Sequence, residues 1–372
     1  MGASAFPVEV FQYRKVVYNS GKGNPPASAG DCAGWERQIM EEGASPKAPS
    51  SRERFRDYMA GRPVDRPPMF ESQFPDDTVA AWSRQGLPAE TRPEQYFGLD
   101  ERERVPIRTS RVDLGVKPVT DMRAARIAAG RYFSDILRQY PPDWPRVRES
   151  IQDSRKVIYA DIYPRGLFQE MGVKDSPTLH SVLMGLHDEP KAAELLMGRY
   201  TDFLVEVVHN RYHGLEIEYF LYSEPIAHPT APVISPEMYR RFVLPHLARL
   251  VHEGRRIGVH EHVISTTGEV RPLIPLWLEA GINGLWIGHA AALGIDYPEL
   301  RHEHGAHVSL WGGVDNRALY AGPEAVDAEV ARIAPLLSSG RYIPMLDDTV
   351  RPEAPFDAYA HYRKRIEAAV RG

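Results

Sequence analysis

Ile257-Gly258-Val259-His260-Glu261-His262-Val263 is the stretch on which the fold of this chain turns. Arg255 and Arg256, just before it, close an amphipathic pattern that reaches back through Glu237 to Ser235-Pro236. That pair supplies an N-cap and a proline at the first helical position. The run therefore reads as a strand following a helix. Side chains alternate across a strand, so His260 and His262 share one face and Glu261 takes the other. Two imidazoles at the C-terminal end of a strand make half of a metal site; two polar residues closing a solvated strand end are the plainer reading.

Working outward, the same alternation recurs. Downstream come a helix over Leu273 to Ala280, a strand over Ile282 to Ile287 and a helix near Tyr297 to His304. A strand over His307 to Val314, a helix over Pro323 to Leu337, a strand over Arg341 to Leu346 and a helix from Phe356 to Val370 complete that side. Upstream, strands are expected at Met69 to Glu71, Lys156 to Tyr163 and Leu215 to Tyr222. Helices and strands joined by short loops demand a parallel sheet. Seven strands are visible, and the proline-rich segment 75–150 must hide an eighth. The expected fold class is α/β, a (βα)₈ TIM-type barrel over residues 51–372 behind an N-terminal extension at 1–50. A doubly wound open sheet is the runner-up, but no Gly-x-Gly-x-x-Gly follows a strand. Phe6, Val8, Val10, Phe11 and Tyr13 make the extension apolar enough to pack on the barrel or on a neighbouring copy.

Composition removes several classes of function. The net charge of -5, without a basic block, argues against nucleic-acid binding. No apolar run is long enough to span a membrane, and the N-terminus lacks the order of a secretory signal. One cysteine, Cys32, excludes an internal disulfide framework and any metal site needing two thiolates from one chain. A cytoplasmic enzyme is the expectation.

In a barrel of this kind the active site lies at the C-terminal ends of the strands. Polar residues expected there are Glu71, Asp161 with Arg165, Glu224, His260 with His262, His289, Asp315 and the pair Asp347-Asp348. His289 reads equally as a hydrogen-bonded core group and Asp315 as a helix cap. Glu216 and Glu218 make one strand face acidic and are expected to pair with arginines. Adjacent carboxylates repel, so Asp347-Asp348 calls for a cation or hydrogen bonds.

Ser51-Arg52-Glu53-Arg54-Phe55 through Gly61-Arg62-Pro63-Val64-Asp65-Arg66-Pro67-Pro68 resembles the opening of the uroporphyrinogen decarboxylase superfamily. Ile234-Ser235-Pro236-Glu237-Met238-Tyr239, Gly312-Gly313-Val314-Asp315 and Gly340-Arg341-Tyr342-Ile343 resemble its later landmarks, in order. The resemblance implies an (αβ)₈ barrel with one of two chemistries: cofactor-free tetrapyrrole decarboxylation, or zinc-dependent methyl transfer involving a corrinoid or thiol. Fragments like the decarboxylase motifs occur between Met122 and Leu137, fused and inside a helical pattern, and are read as coincidence. No arginine cluster follows the first strand, where Glu71 stands.

The methyltransferase branch is closer. There a His-x-Cys after the equivalent strand and a Cys after the last strand hold zinc, which would map onto His260, His262 and Asp348, with Asp347 as the alternative third ligand. Glu224 would be a fourth ligand or acid–base group, and Glu71 and Arg165 further catalytic candidates. This reading implies zinc, a small O- or N-methyl donor and a corrinoid carried on a partner protein. A second copy of the chain is a further expected partner; nucleic acid and membrane are not. A lyase or decarboxylase using Arg165 to hold a small carboxylic acid, and a barrel that has lost its zinc site, are the alternatives.

Overall fold

The computed structural model describes residues 48–107, 109, 117–134, 141–166 and 170–371. The N-terminal segment on which the packing expectation rests lies outside these residues. Among the described residues, seven strands run parallel in chain order: β1 (Arg102–Arg104), β2 (Val157–Tyr163), β3 (Tyr219–Ser223), β4 (Glu261–Thr267), β5 (Gly284–Gly288), β6 (Ser309–Trp311) and β7 (Tyr342–Ile343). Helices fill most of the connections, the arrangement of a TIM-type barrel. No helix among the described residues is long and apolar enough to cross a membrane.

The hidden strand is β1, in the irregular segment as expected. Met69 to Glu71, however, forms no strand. It runs alongside without a ladder: the Asp100 N–H donates to the Met69 carbonyl at 2.8 Å, and the Leu346 N–H donates to Glu71 Oε1 at 2.9 Å. This segment thus stands beside both β1 and the chain after β7.

Two apolar layers result. Between sheet and helices lies the main core, with Ile158, Ala160, Phe220, Ile264, Leu285 and Leu310 facing outward from the strands. Inside the sheet lies a second cluster of Phe70, Val157, Tyr219, Leu221, Val263, Trp311, Ile343 and Met345. Phe55, Tyr58 and Met59 of helix α1 (Ser51–Met59) belong to that inner cluster and plug the N-terminal end of the barrel. A capping box between Ser50 and Glu53 starts α1, and the Tyr58 hydroxyl exchanges hydrogen bonds with the Tyr342 main chain at 2.8 and 3.0 Å.

The helix expected before the fold-deciding strand is two helices, Pro236–Phe242 and Leu244–Arg256. Pro245 has no N–H to donate, and the ladder breaks at Val243. The strand itself also starts later than its apolar run suggests. Gly258, at φ +93°, turns the chain, and pairing begins only at Glu261. His260 and His262 are therefore at the entrance of β4, at the plugged end of the barrel.

Candidate active site at the barrel mouth

Strand register decides which side chains reach the mouth. Leu221 and Val263 are inward, so residues two apart on the same strands, and their lateral partners, are inward too: Tyr159, Asp161, Ser223, Ser265 and Trp286. Arg102 pairs with inward Val157 and Arg104 with Tyr159, which places both guanidinium groups on the inner face of β1.

Arg102 is the centre of this surface. Its guanidinium carbon stands 4.7 Å from the Phe70 ring centroid and 5.6 Å from that of Trp286. It donates to the Glu71 carbonyl and, at 3.5 Å, to the Tyr219 hydroxyl. Both partners are neutral. Among the described residues, no carboxylate lies within ion-pair distance of this half-buried cation. Tyr159 and Tyr219 stack at 5.1 Å, with planes 3° apart, and continue the aromatic wall.

Asp161 faces the same space. It is buried, Oδ1 has no hydrogen-bond partner among the described residues, and Oδ2 lies 3.7 Å from Arg104 Nη1. Burial pushes its carboxyl up to about 7, against the opposing pull of Arg104. Near neutral pH it therefore holds a proton in part of the molecules, as a general acid must. Ser223, Ser265 and Thr267 add partly exposed hydroxyls across β3 and β4.

The other expected residues fall into three groups. Glu224 does reach this end: it is buried, its carbonyl accepts from Thr266 Oγ1 at 2.7 Å, and Oε1 packs against the Gly166 turn. A Cβ at Gly166 would lie 2.9 Å from Glu224 Oε1, so only glycine lets the loop after β2 come this close. Arg165, half-buried, precedes Gly166 in the same loop. The second group is at the rim but structural. Asp347 accepts from the Ala291 and Asn316 N–H groups at 3.1 and 3.2 Å and thereby ties the loops after β5 and β6. Burial raises it to about 6. Asp348 sits 3.7 Å from His289 Nε2 and 3.6 Å from Arg351 Nη2, while Asp315 is engaged by Arg317 at 2.7 Å.

The third group is misplaced for chemistry at the mouth. Glu71 points away from inward Phe70 and accepts from the Tyr359 hydroxyl at 2.9 Å beneath the last helix (Phe356–Arg371). Burial raises its carboxyl to about 7, but it is enclosed in the outer core. His262 faces the outer helices: its Nδ1 pairs with the Tyr222 hydroxyl at 3.0 Å and its Nε2 with the Val259 carbonyl at 3.1 Å. Burial lowers its pKa to about 3, so it is a neutral core histidine. His260 is exposed at the opposite end of the barrel from Asp347 and Asp348. Glu216 and Glu218 behave as expected, bound by Arg52 and Arg56.

Comparisons with known proteins place this geometry. Residues 169–368 match the family model described as uroporphyrinogen decarboxylase. The chain belongs to the uroporphyrinogen decarboxylase family. Curated uroporphyrinogen decarboxylases resemble it over part of their length. That of Pseudomonas savastanoi is 33% identical over 165 residues, 42% of each chain. That of Azotobacter vinelandii is 36% identical over 117 residues, 29% of this chain and 30% of that one. The chain thus aligns with well under two thirds of these relatives. A methyltransferase from Methanosarcina mazei shares the fold at TM-score 0.56 and 16% identity, covering 87% of this chain and 98% of that one.

Within this family fold, the zinc centre expected from His260, His262 and Asp348 or Asp347 does not assemble. The histidines and the aspartates occupy opposite ends of the barrel, and His262 points out of it. Among the described residues no three His, Cys, Asp or Glu side chains are grouped to hold a metal ion. The inward positions two apart at the C-terminal end of β4 are Ser265 and Thr267, whose neutral hydroxyls are not among the usual zinc ligands. Sequence reading missed them, as it missed Arg102 and Arg104. A Ser-x-Thr pair followed by Gly268 was the available signal.

Proposed function

We propose that the chain is an enzyme that decarboxylates, or otherwise cleaves, a small carboxylic acid at the barrel mouth without the zinc centre. The observation that carries this reading is Arg102, a half-buried cation whose partners among the described residues are neutral, on the same inner face as a carboxyl held near neutrality. A half-buried cation gains from an anionic partner, and a substrate carboxylate supplies that anion. Arg102 fixes the acid, and the Tyr159 and Trp286 rings exclude water from one side of it. Asp161 gives its proton to the carbon whose bond breaks; the electron pair of that bond stays on the carbon and CO₂ leaves. Water then returns the proton to Asp161. Glu224 and Arg165 border the site and are secondary candidates for contact with the substrate.

Release of CO₂ from a panel of small carboxylic acids tests the reading. The parent should release CO₂ from at least one acid, and Asp161→Asn and Arg102→Gln should abolish it while remaining folded. Undiminished release by both variants would overturn it. Methyl transfer from a small methyl donor to a corrinoid on a partner protein, the other chemistry of the superfamily, is separated by the same preparation. Methylation of cob(I)alamin with no CO₂ release would assign the chain to that branch.

A further inference from the structure

Ser223, Ser265 and Thr267 end β3 and β4 on the inner face, and Ser223 is registered directly against Ser265. None of their side-chain hydroxyls makes a hydrogen bond to a protein group among the described residues, and all three residues keep partial exposure. Nearby hydroxyls behave differently. Thr266, one position away on the outer face, donates to Glu224, and Ser309 deeper in the barrel donates to the Asn283 carbonyl at 3.1 Å. Ser223, Ser265 and Thr267 thus form a row of unused hydroxyls at the mouth. Trp286 is the lateral partner of Ser265, and the same indole ring carries the Arg102 guanidinium at 5.6 Å. The hydroxyl row and the cation consequently flank one half-buried aromatic surface.

We propose that this row is a second oxygen-binding subsite, and that the substrate is a carboxylic acid carrying a further oxygen function on a body that lies against Trp286. The proposal rests on the reading of Arg102 as the carboxylate anchor. The row offers three neutral donors that are also acceptors, which suits a hydroxyl or carbonyl oxygen. A site built to bond such an oxygen discriminates strongly against an analogue lacking it, because its polar groups are then left unpaired.

Calorimetric titration of the full-length protein with benzoate and with 2-, 3- and 4-hydroxybenzoate tests this. At least one hydroxybenzoate should bind roughly tenfold or more tightly than benzoate, which corresponds to about 1.4 kcal/mol. The double variant Ser265→Ala with Thr267→Val, and separately Ser223→Ala, should shrink that gap and leave benzoate affinity unchanged. Benzoate binding is the internal control for folding. A gap that survives both variants, or no preference in the parent, overturns the subsite while leaving the anchor intact. Arg102→Gln should weaken all four acids together; unchanged affinities in that variant overturn the carboxylate anchor itself. Failure of every acid to bind the parent at about 10 mM overturns both.

Discussion

The two ends of the barrel treat charge in opposite ways. At the plugged end, the buried carboxylates are paired with arginines. Glu218 accepts from Arg52 at 2.9 Å, from Arg56 at 2.8 Å and from the Ile158 N–H at 2.7 Å. Arg54 and Arg66 share Asp100, and Arg341 reaches Glu261 at 2.8 Å. At the mouth, among the described residues, Arg102 meets only neutral oxygens and aromatic rings, and one Asp161 oxygen is unbonded. Both ends use arginine and carboxylate. The difference is how fully the carboxylate oxygens are bonded within the protein, and an inward carboxyl with an unbonded oxygen and a raised pKa is a functional-site candidate.

The sharpest break of this comparison is Asp161→Asn. As the proton donor, Asp161 should contribute roughly 10²–10⁴ to kcat, so the variant should lose that much in CO₂ release while keeping its circular dichroism spectrum. Its stability should move the other way. Folding raises the Asp161 carboxyl from 3.8 to about 7, so between these values the folded chain keeps a proton that the unfolded chain has lost. Stability of the parent therefore declines as pH climbs through that window. The asparagine variant carries no such term and should gain on the parent between about pH 4 and pH 7, by on the order of 4 kcal/mol at about 1.36 kcal/mol per pH unit. Denaturant titrations at both ends of the window check the sign; an equal pH dependence in the two proteins would place the Asp161 carboxyl in an ordinary environment.

The converse variant is Glu218→Gln at the plugged end. Removing one partner of a buried, doubly bonded ion pair should cost roughly 3–5 kcal/mol in urea unfolding. The molecules that remain folded should keep kcat and KM. Loss of turnover with little loss of stability would mean that the plugged end takes part in chemistry.

Two histidines grade the remaining scale. His262→Ala removes a buried ring that fills the space against Phe220 and Gly254 and should cost roughly 2–4 kcal/mol. His260→Ala, at an exposed position, should change stability by no more than about 0.5 kcal/mol and leave both turnover and zinc content as in the parent. Zinc loss on that substitution would restore the histidine to a metal site.

Much of this molecule follows from its sequence alone. The alternation of amphipathic helices with short apolar runs fixes a parallel sheet with its strands in chain order. The Ser235-Pro236 start and the acidic pair Glu216 and Glu218 read as what they are, and Asp161 and Glu224 read as polar groups at strand ends. What the sequence leaves open is which face of a strand looks inward. In a parallel barrel both faces are buried and apolar, so Val259, Val263 and Ile264 carry no alternation that distinguishes inside from outside. Spacing shows that His260 and His262 share a face, not that the face belongs to the helices. The end of the strand was equally hidden, because Gly258 delays pairing to Glu261 and turns an apparent strand exit into an entrance. Arg-Glu-Arg at 102–104 gives no apolar signal at all; it becomes a strand only because β2 lies beside it. Tertiary pairing therefore decided the site, by carrying Arg102, Asp161, Ser265 and Thr267 to one mouth and leaving the histidines behind.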